Sequence, residues 1–90
     1  MNLKEKIKKI LEECFNGEIS YASIVIENPK DRKMGDYALP CFSYSKVLHK
    51  APNIIAEEVK NYLEQNCSFL NKVEVIGGYV NVFLDKLVIA

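Results

Sequence analysis

The residues best suited to chemistry lie near the C-terminal end of the chain, in Lys72 to Leu84, KVEVIGGYVNVFL. Gly77 and Gly78 between two alternating apolar runs predict a β-hairpin, because two-residue turns need positive φ and glycine reaches it without steric cost. With those glycines as the loop, Ile76 pairs with Tyr79, Val75 with Val80, Glu74 with Asn81 and Val73 with Val82. Side chains alternate with period two, so the valines share one face with Leu84 beyond them. Ile76, Tyr79, Asn81 and Phe83 take the other face, together with Glu74 and Lys72. An aromatic and an amide thus sit side by side next to the turn, which makes this face a candidate recognition surface. The same pattern also suits a sheet packed on both faces, since aromatics are favoured in strands.

Other reactive side chains form no arrangement. Cys14, Cys41 and Cys67 are odd in number and widely spaced, with no CxxC pair and with His49 as the only histidine. That argues against a disulfide framework and against zinc, and makes the cysteines small core hydrophobes. His49 reads as a helix-end residue favoured by the helix dipole. An enzyme built on Asp36, His49 and Cys41 lacks any ordering of nucleophile and base.

The 90 residues make one domain, 1–90, with room for a single core. A hydrophobic content of 49% beside 27% charged residues is that of a globular chain. No apolar run approaches the roughly 20 residues of a membrane helix. The N-terminal MNLKEKIKK has no apolar stretch of a secretory signal, so a cytoplasmic setting is the default. Twelve basic and twelve acidic residues give zero formal net charge. Autonomous nucleic-acid binders usually carry a basic excess, so any RNA contact here is weak alone or belongs to a larger surface.

The elements that must position the hairpin follow from periodicity. Asn2 and Glu5 have the spacing of a capping pair and start a helix at Leu3. Leu3, Ile7, Ile10, Leu11 and Cys14 form its apolar stripe, Lys4, Lys6, Lys8 and Lys9 its solvated side, and Gly17 its stop. Ser20 to Glu27, SYASIVIE, predicts a third strand with Ala22, Ile24 and Ile26 on one face, ended by Asn28-Pro29. The polar loop Asn28 to Asp36 carries Lys30, Arg32 and Lys33, partly offset by Asp31 and Asp36, and is a binding element or a mobile connection. Gly35 then supplies a turn before Tyr37 returns to the sheet edge. Pro40 can open a second helix, with Cys41, Tyr44, Ser45 and Leu48 on one face. Pro52 starts a third, with Ile55, Val59, Tyr62 and Leu63 inward. The fold class is α+β: a small, mainly antiparallel sheet of three to four strands with three helices packed on it.

Three pieces in this order resemble the N-terminal additional domain of arginyl-tRNA synthetases: ENPKDRKMGDYALP, FSYSKVLHKAPNIIAEEV and VEVIGGYVNVFL. The matching elements are Gly35-Asp36-Tyr37, Lys46 to Lys50, Pro52 with Ile55-Ala56-Glu57, and Gly78-Tyr79-Val80-Asn81. The resemblance implies a domain that lies against the elbow of arginine tRNA and contacts its D-loop through an aromatic and an amide, here Tyr79 and Asn81. Such residues can stack on an unstacked base and bond its edge. Gly78 and the loop cations Arg32 and Lys33 are added as candidate tRNA contacts. The turn here has only Gly77-Gly78, and Ile76 stands where a basic or polar residue is sometimes found. Neither an HIGH-type nor a KMSKS-type signature occurs. The resemblance therefore implies a catalytic domain further along the parent chain, using ATP and Mg²⁺, and no cofactor, aminoacylation, membrane or DNA partner for these residues. An open alternative is a structural or protein-interaction domain that uses Tyr79 and Phe83 as an interface without RNA.

Overall fold

In the computed structural model described here, residues 3–31, 33 and 35–84 define the fold. Helix α1 (Leu3–Cys14) buries Ile7 and Leu11 completely and half-buries Leu3, Ile10 and Cys14, as its stripe predicts. The cap at Asn2 lies outside the described residues. Beyond α1, Asn16 and Gly17 adopt left-handed φ of 53° and 77°, and the Gly17 amide donates back to the Glu12 carbonyl at 3.1 Å. Of the lysines, Lys4 and Lys8 rest their ammonium groups over the rings of Tyr37 and Tyr21, while Lys6 and Lys9 face water.

The expected strand at Ser20 to Glu27 is not a strand. Tyr21–Ser23 forms a 3₁₀ turn, and only Glu27 reaches the sheet, exchanging both backbone hydrogen bonds with Ala38 at 2.8 and 2.9 Å. The alternation was still meaningful, because Ile24 and Ile26 are buried while Val25 is exposed. Ala22, expected beside the isoleucines, is exposed. A period of two reports which side chains face the core, whereas a strand also requires a backbone edge along its length.

Strand β1 (Tyr37–Pro40) confirms the return of Tyr37 to the sheet edge and corrects the placement of Pro40, which ends this strand instead of opening a helix. Ala38 directs its amide and carbonyl away from the sheet, toward Glu27, and Pro40 shares that direction two residues on. Its missing N–H therefore costs the ladder nothing. Helix α2 (Ser45–Leu48) is a single turn, closed by His49 at a left-handed φ of 55°. Helix α3 (Pro52–Asn66) begins at the expected proline and buries Ile55, Ala56, Val59 and Leu63.

Strands β2 (Leu70–Ile76) and β3 (Tyr79–Leu84) form the predicted hairpin, with all four expected pairs present. The sheet order is β1-β3-β2, entirely antiparallel, so the last strand is the central one. Helix α3 lies across β2 and β3, and α1 packs against α3. Val73, Val80, Val82 and Leu84 join the helix residues and Ile24, Ile26 and Leu39 in one core. The Gly-Asp element locks β1 to β3: the Asp36 amide donates to the Val82 carbonyl at 2.8 Å, and the Asp36 carboxylate accepts from the Leu84 amide at 2.9 Å. A Cβ at Gly35, whose φ is +91°, would stand 2.7 Å from the Val82 oxygen.

Candidate nucleic-acid interface

Among the described residues, no helix packs on the second face of the sheet. Alternation and cross-strand pairing place Tyr79, Asn81 and Phe83 on it along β3, with Ala38 and Glu74 as the partners of Asn81 on either side. The Glu27–Pro29 segment, tied to Ala38, forms a wall beside them. Glu27, Asn28, Pro29, Ala38, Tyr79 and Asn81 thus line a cleft of about 370 Å³.

Asn81 lies within this cleft and is the central feature of the face. The residue is fully buried, and both its amide nitrogen and its amide oxygen lack a hydrogen-bond partner. Among the described residues they are the only buried side-chain polar atoms in that condition. A buried amide left unpaired costs roughly 1–3 kcal/mol, so a strand-centre asparagine here is anomalous as a packing residue. At the lining of the cleft, it holds one donating and one accepting group that no protein group satisfies. A larger hollow of about 430 Å³ between Gly17–Ser20 and Ser43–Val47 carries no such group.

Tyr79 is half-buried and meets Phe42 edge-on, with ring centroids 5.2 Å apart at 75°. Gly78 permits this approach: at its φ of +88°, a Cβ would lie 2.9 Å from the Phe42 ring and 3.4 Å from Pro52. Its carbonyl also accepts from the Cys41 amide at 3.1 Å. Gly78 therefore acts through close backbone packing. Lys33 is exposed in the 28–36 loop, where its amide donates to the Asp31 carboxylate at 2.9 Å, and it does not line the cleft. Arg32 lies outside the described residues.

Sequence reasoning missed the wall residues Glu27, Asn28 and Pro29, and the floor residue Ala38. The available signal was Asn28-Pro29 itself, read as the end of a strand and the start of a polar loop that is a binding element or a mobile connection. It also missed that Asn81 would be fully buried on an uncovered face. Of the remaining reactive side chains, the cysteines serve packing. Cys41 is buried, its thiol pushed up to about 12 by burial and then by the neighbouring Cys14; Cys67 is pushed up to about 11 by burial. His49 is exposed, and Asp36 is committed to the β3 backbone. Among the described residues no three His, Cys, Asp or Glu side chains gather as a metal site, and no helix is long and apolar enough to cross a membrane.

A small α+β domain with helices on one sheet face and a cleft holding an unpaired amide on the other is the class that fold and site define. A family model described as the arginyl tRNA synthetase N terminal domain matches residues 1–84. The chain is 43% identical over 90 residues to an arginine–tRNA ligase of Clostridium beijerinckii, covering all of this chain and 16% of that protein. It is 44% identical over 88 residues to one of Ligilactobacillus salivarius, covering 96% of this chain and 15% of that protein. A solved arginyl-tRNA synthetase of Thermus thermophilus superposes with a TM-score of 0.75 at 26% identity, over 92% of this chain and 14% of that one. The chain belongs to the arginyl-tRNA synthetase N-terminal domain family, and spans about a sixth of the length of the curated relatives it matches.

Proposed function

We propose that this chain is the tRNA-binding domain of an arginine–tRNA ligase, and that its uncovered sheet face holds the D-loop at the elbow of arginine tRNA. The observation that carries this reading is the fully buried, unpartnered amide of Asn81 in a cleft beside an aromatic ring. Tyr79 supplies a stacking surface for an unpaired base, and Asn81 bonds its edge. Gly78 lets the backbone come close at the turn, and Lys33 and Arg32 contact phosphates from the neighbouring loop. The domain adds binding and orientation, while ATP and Mg²⁺ belong to the catalytic domain of the same parent chain in the cytoplasm. Zero formal net charge suits a domain that contributes contacts to a larger tRNA surface.

The test is an amide shift titration of the labelled chain with an arginine tRNA transcript at low and moderate salt, with an unrelated tRNA as control. The reading predicts shifts centred on Gly78 to Asn81 and on Glu27-Asn28, absent with the control. Shifts scattered over Lys4 to Lys9 that vanish with salt would overturn it in favour of bare electrostatic attraction.

A further inference from the structure

By its register with Phe83, Lys72 lies on the uncovered face. The structure holds it in a defined pose. Its ammonium lies 4.6 Å from the centroid of the Phe83 ring and 3.1 Å from the Glu74 carboxylate, with the lysine side chain 53% and the glutamate side chain 42% exposed. Lys72 and Glu74 are the only formal charges that the three strands carry. Glu74 is the cross-strand partner of Asn81, and Lys72 is the partner of Phe83. Lys72 is therefore the diagonal cross-strand neighbour of Asn81 on the same face, a backbone separation of about 7–8 Å. That separation is comparable to the gap between a base and the phosphate that carries it.

We infer that Lys72 is the phosphate contact of this face and that Glu74 competes with the RNA for it; the inference rests on the reading of the Asn81 cleft as an RNA site. An exposed ion pair contributes little to stability, so the pair is not needed to hold the hairpin. It does pre-orient the ammonium over the Phe83 ring, with about half of the lysine side chain exposed. A phosphodiester passing over Phe83 meets a cation already held there. Glu27 in the cleft wall and Glu74 itself repel phosphate elsewhere on the face, leaving Lys72 as the favourable position. Binding breaks the Lys72–Glu74 bridge and replaces carboxylate with phosphate, which makes Glu74 a restraint on affinity.

The experiment is a salt series of affinities for an arginine tRNA transcript with the wild-type chain, Lys72→Gln, Lys72→Arg, Glu74→Gln and Asn81→Ala, each with its thermal midpoint recorded. Lys72→Gln is expected to weaken binding several-fold at low salt and to reduce the slope of log K against log salt by about 0.7, the loss of one single-strand phosphate contact. Lys72→Arg restores both, and Glu74→Gln tightens binding several-fold at low salt. If Lys72→Gln leaves affinity and slope unchanged while Asn81→Ala abolishes binding, the inference is wrong and the cleft reading survives. If the wild-type chain shows no binding, both fall. Should self-association replace RNA binding, with Lys72→Gln altering it, the face is a protein interface and the inference is also overturned.

Discussion

The two faces of this three-stranded sheet are built from alternate residues of the same strands, yet they obey different rules. On the helix-covered face, Val73, Val80, Val82 and Leu84 meet Leu63, Val59 and Ile55 in a continuous apolar core. On the uncovered face, one residue along, Asn81 is as deeply buried as Val80 and Val82 but unpaired, flanked by Tyr79, Phe83 and a half-exposed ion pair. Among the described residues, the first face leaves no buried side-chain polar atom unpaired. The second retains an unsatisfied polar group, an exposed cation and a cleft, which is what the proposed ligand site would require at some cost in stability.

Substitutions can set the two faces against each other. The largest effect is expected in the covered core, where Leu63→Ala removes a fully buried side chain and should cost about 2–5 kcal/mol in chemical denaturation. Ile76→Thr, on the uncovered face and 45% exposed, should stay within about 0.5 kcal/mol. Equal costs would mean that the uncovered face is a second core. Next comes the junction that joins β1 to β3 beneath both faces. Gly35→Ala, forcing a Cβ onto the Val82 carbonyl at positive φ, should cost about 2–3 kcal/mol. Gly77→Ala, with open space around its Cβ, should cost only about 1–2 kcal/mol.

A smaller effect should appear in alkali and should originate on the covered side. The Cys41 and Cys67 thiols, pushed from 9.0 up to about 12 and about 11, stay protonated in the fold. In the unfolded chain they ionise nearer their ordinary value, so the unfolded state releases more protons at high pH. Their contribution is therefore fully present below pH 9 and is lost as pH rises through the folded values. Thermal midpoints followed from pH 8 upward should decline above pH 9, and Cys67→Ala should make the decline shallower. An identical decline in that variant would place the alkaline sensitivity elsewhere.

Much of this fold was legible because its signals are local. The Gly77-Gly78 turn set the hairpin register, which in turn set the composition of both faces, and the stripes of α1 and α3 identified what covers one of them. The failures arose where local pattern and tertiary partner diverge. SYASIVIE alternates like a strand because Ile24 and Ile26 face the core, but it has only Glu27 at a free edge. Pro40 resembled a helix start, while its real neighbour is Tyr79 across the sheet, known only once β3 proves central. The pairing of Tyr79 with Asn81 on one face was readable. The burial of Asn81 was not, because the Glu27–Pro29 wall that encloses it is brought there by a backbone exchange with Ala38 that no local pattern announces.

The most direct test of why Asn81 stands at the centre of the uncovered face is a single variant, Asn81→Leu, measured for both thermal midpoint and affinity for arginine tRNA. A side chain of similar size without polar atoms removes the unpaired amide. Stability should rise by about 1 kcal/mol, equivalent to roughly 4–8 °C in a domain of this size, while tRNA affinity is lost. A variant that is less stable and binds tRNA as tightly as the wild-type chain would show that Asn81 serves the fold, and would contradict the account.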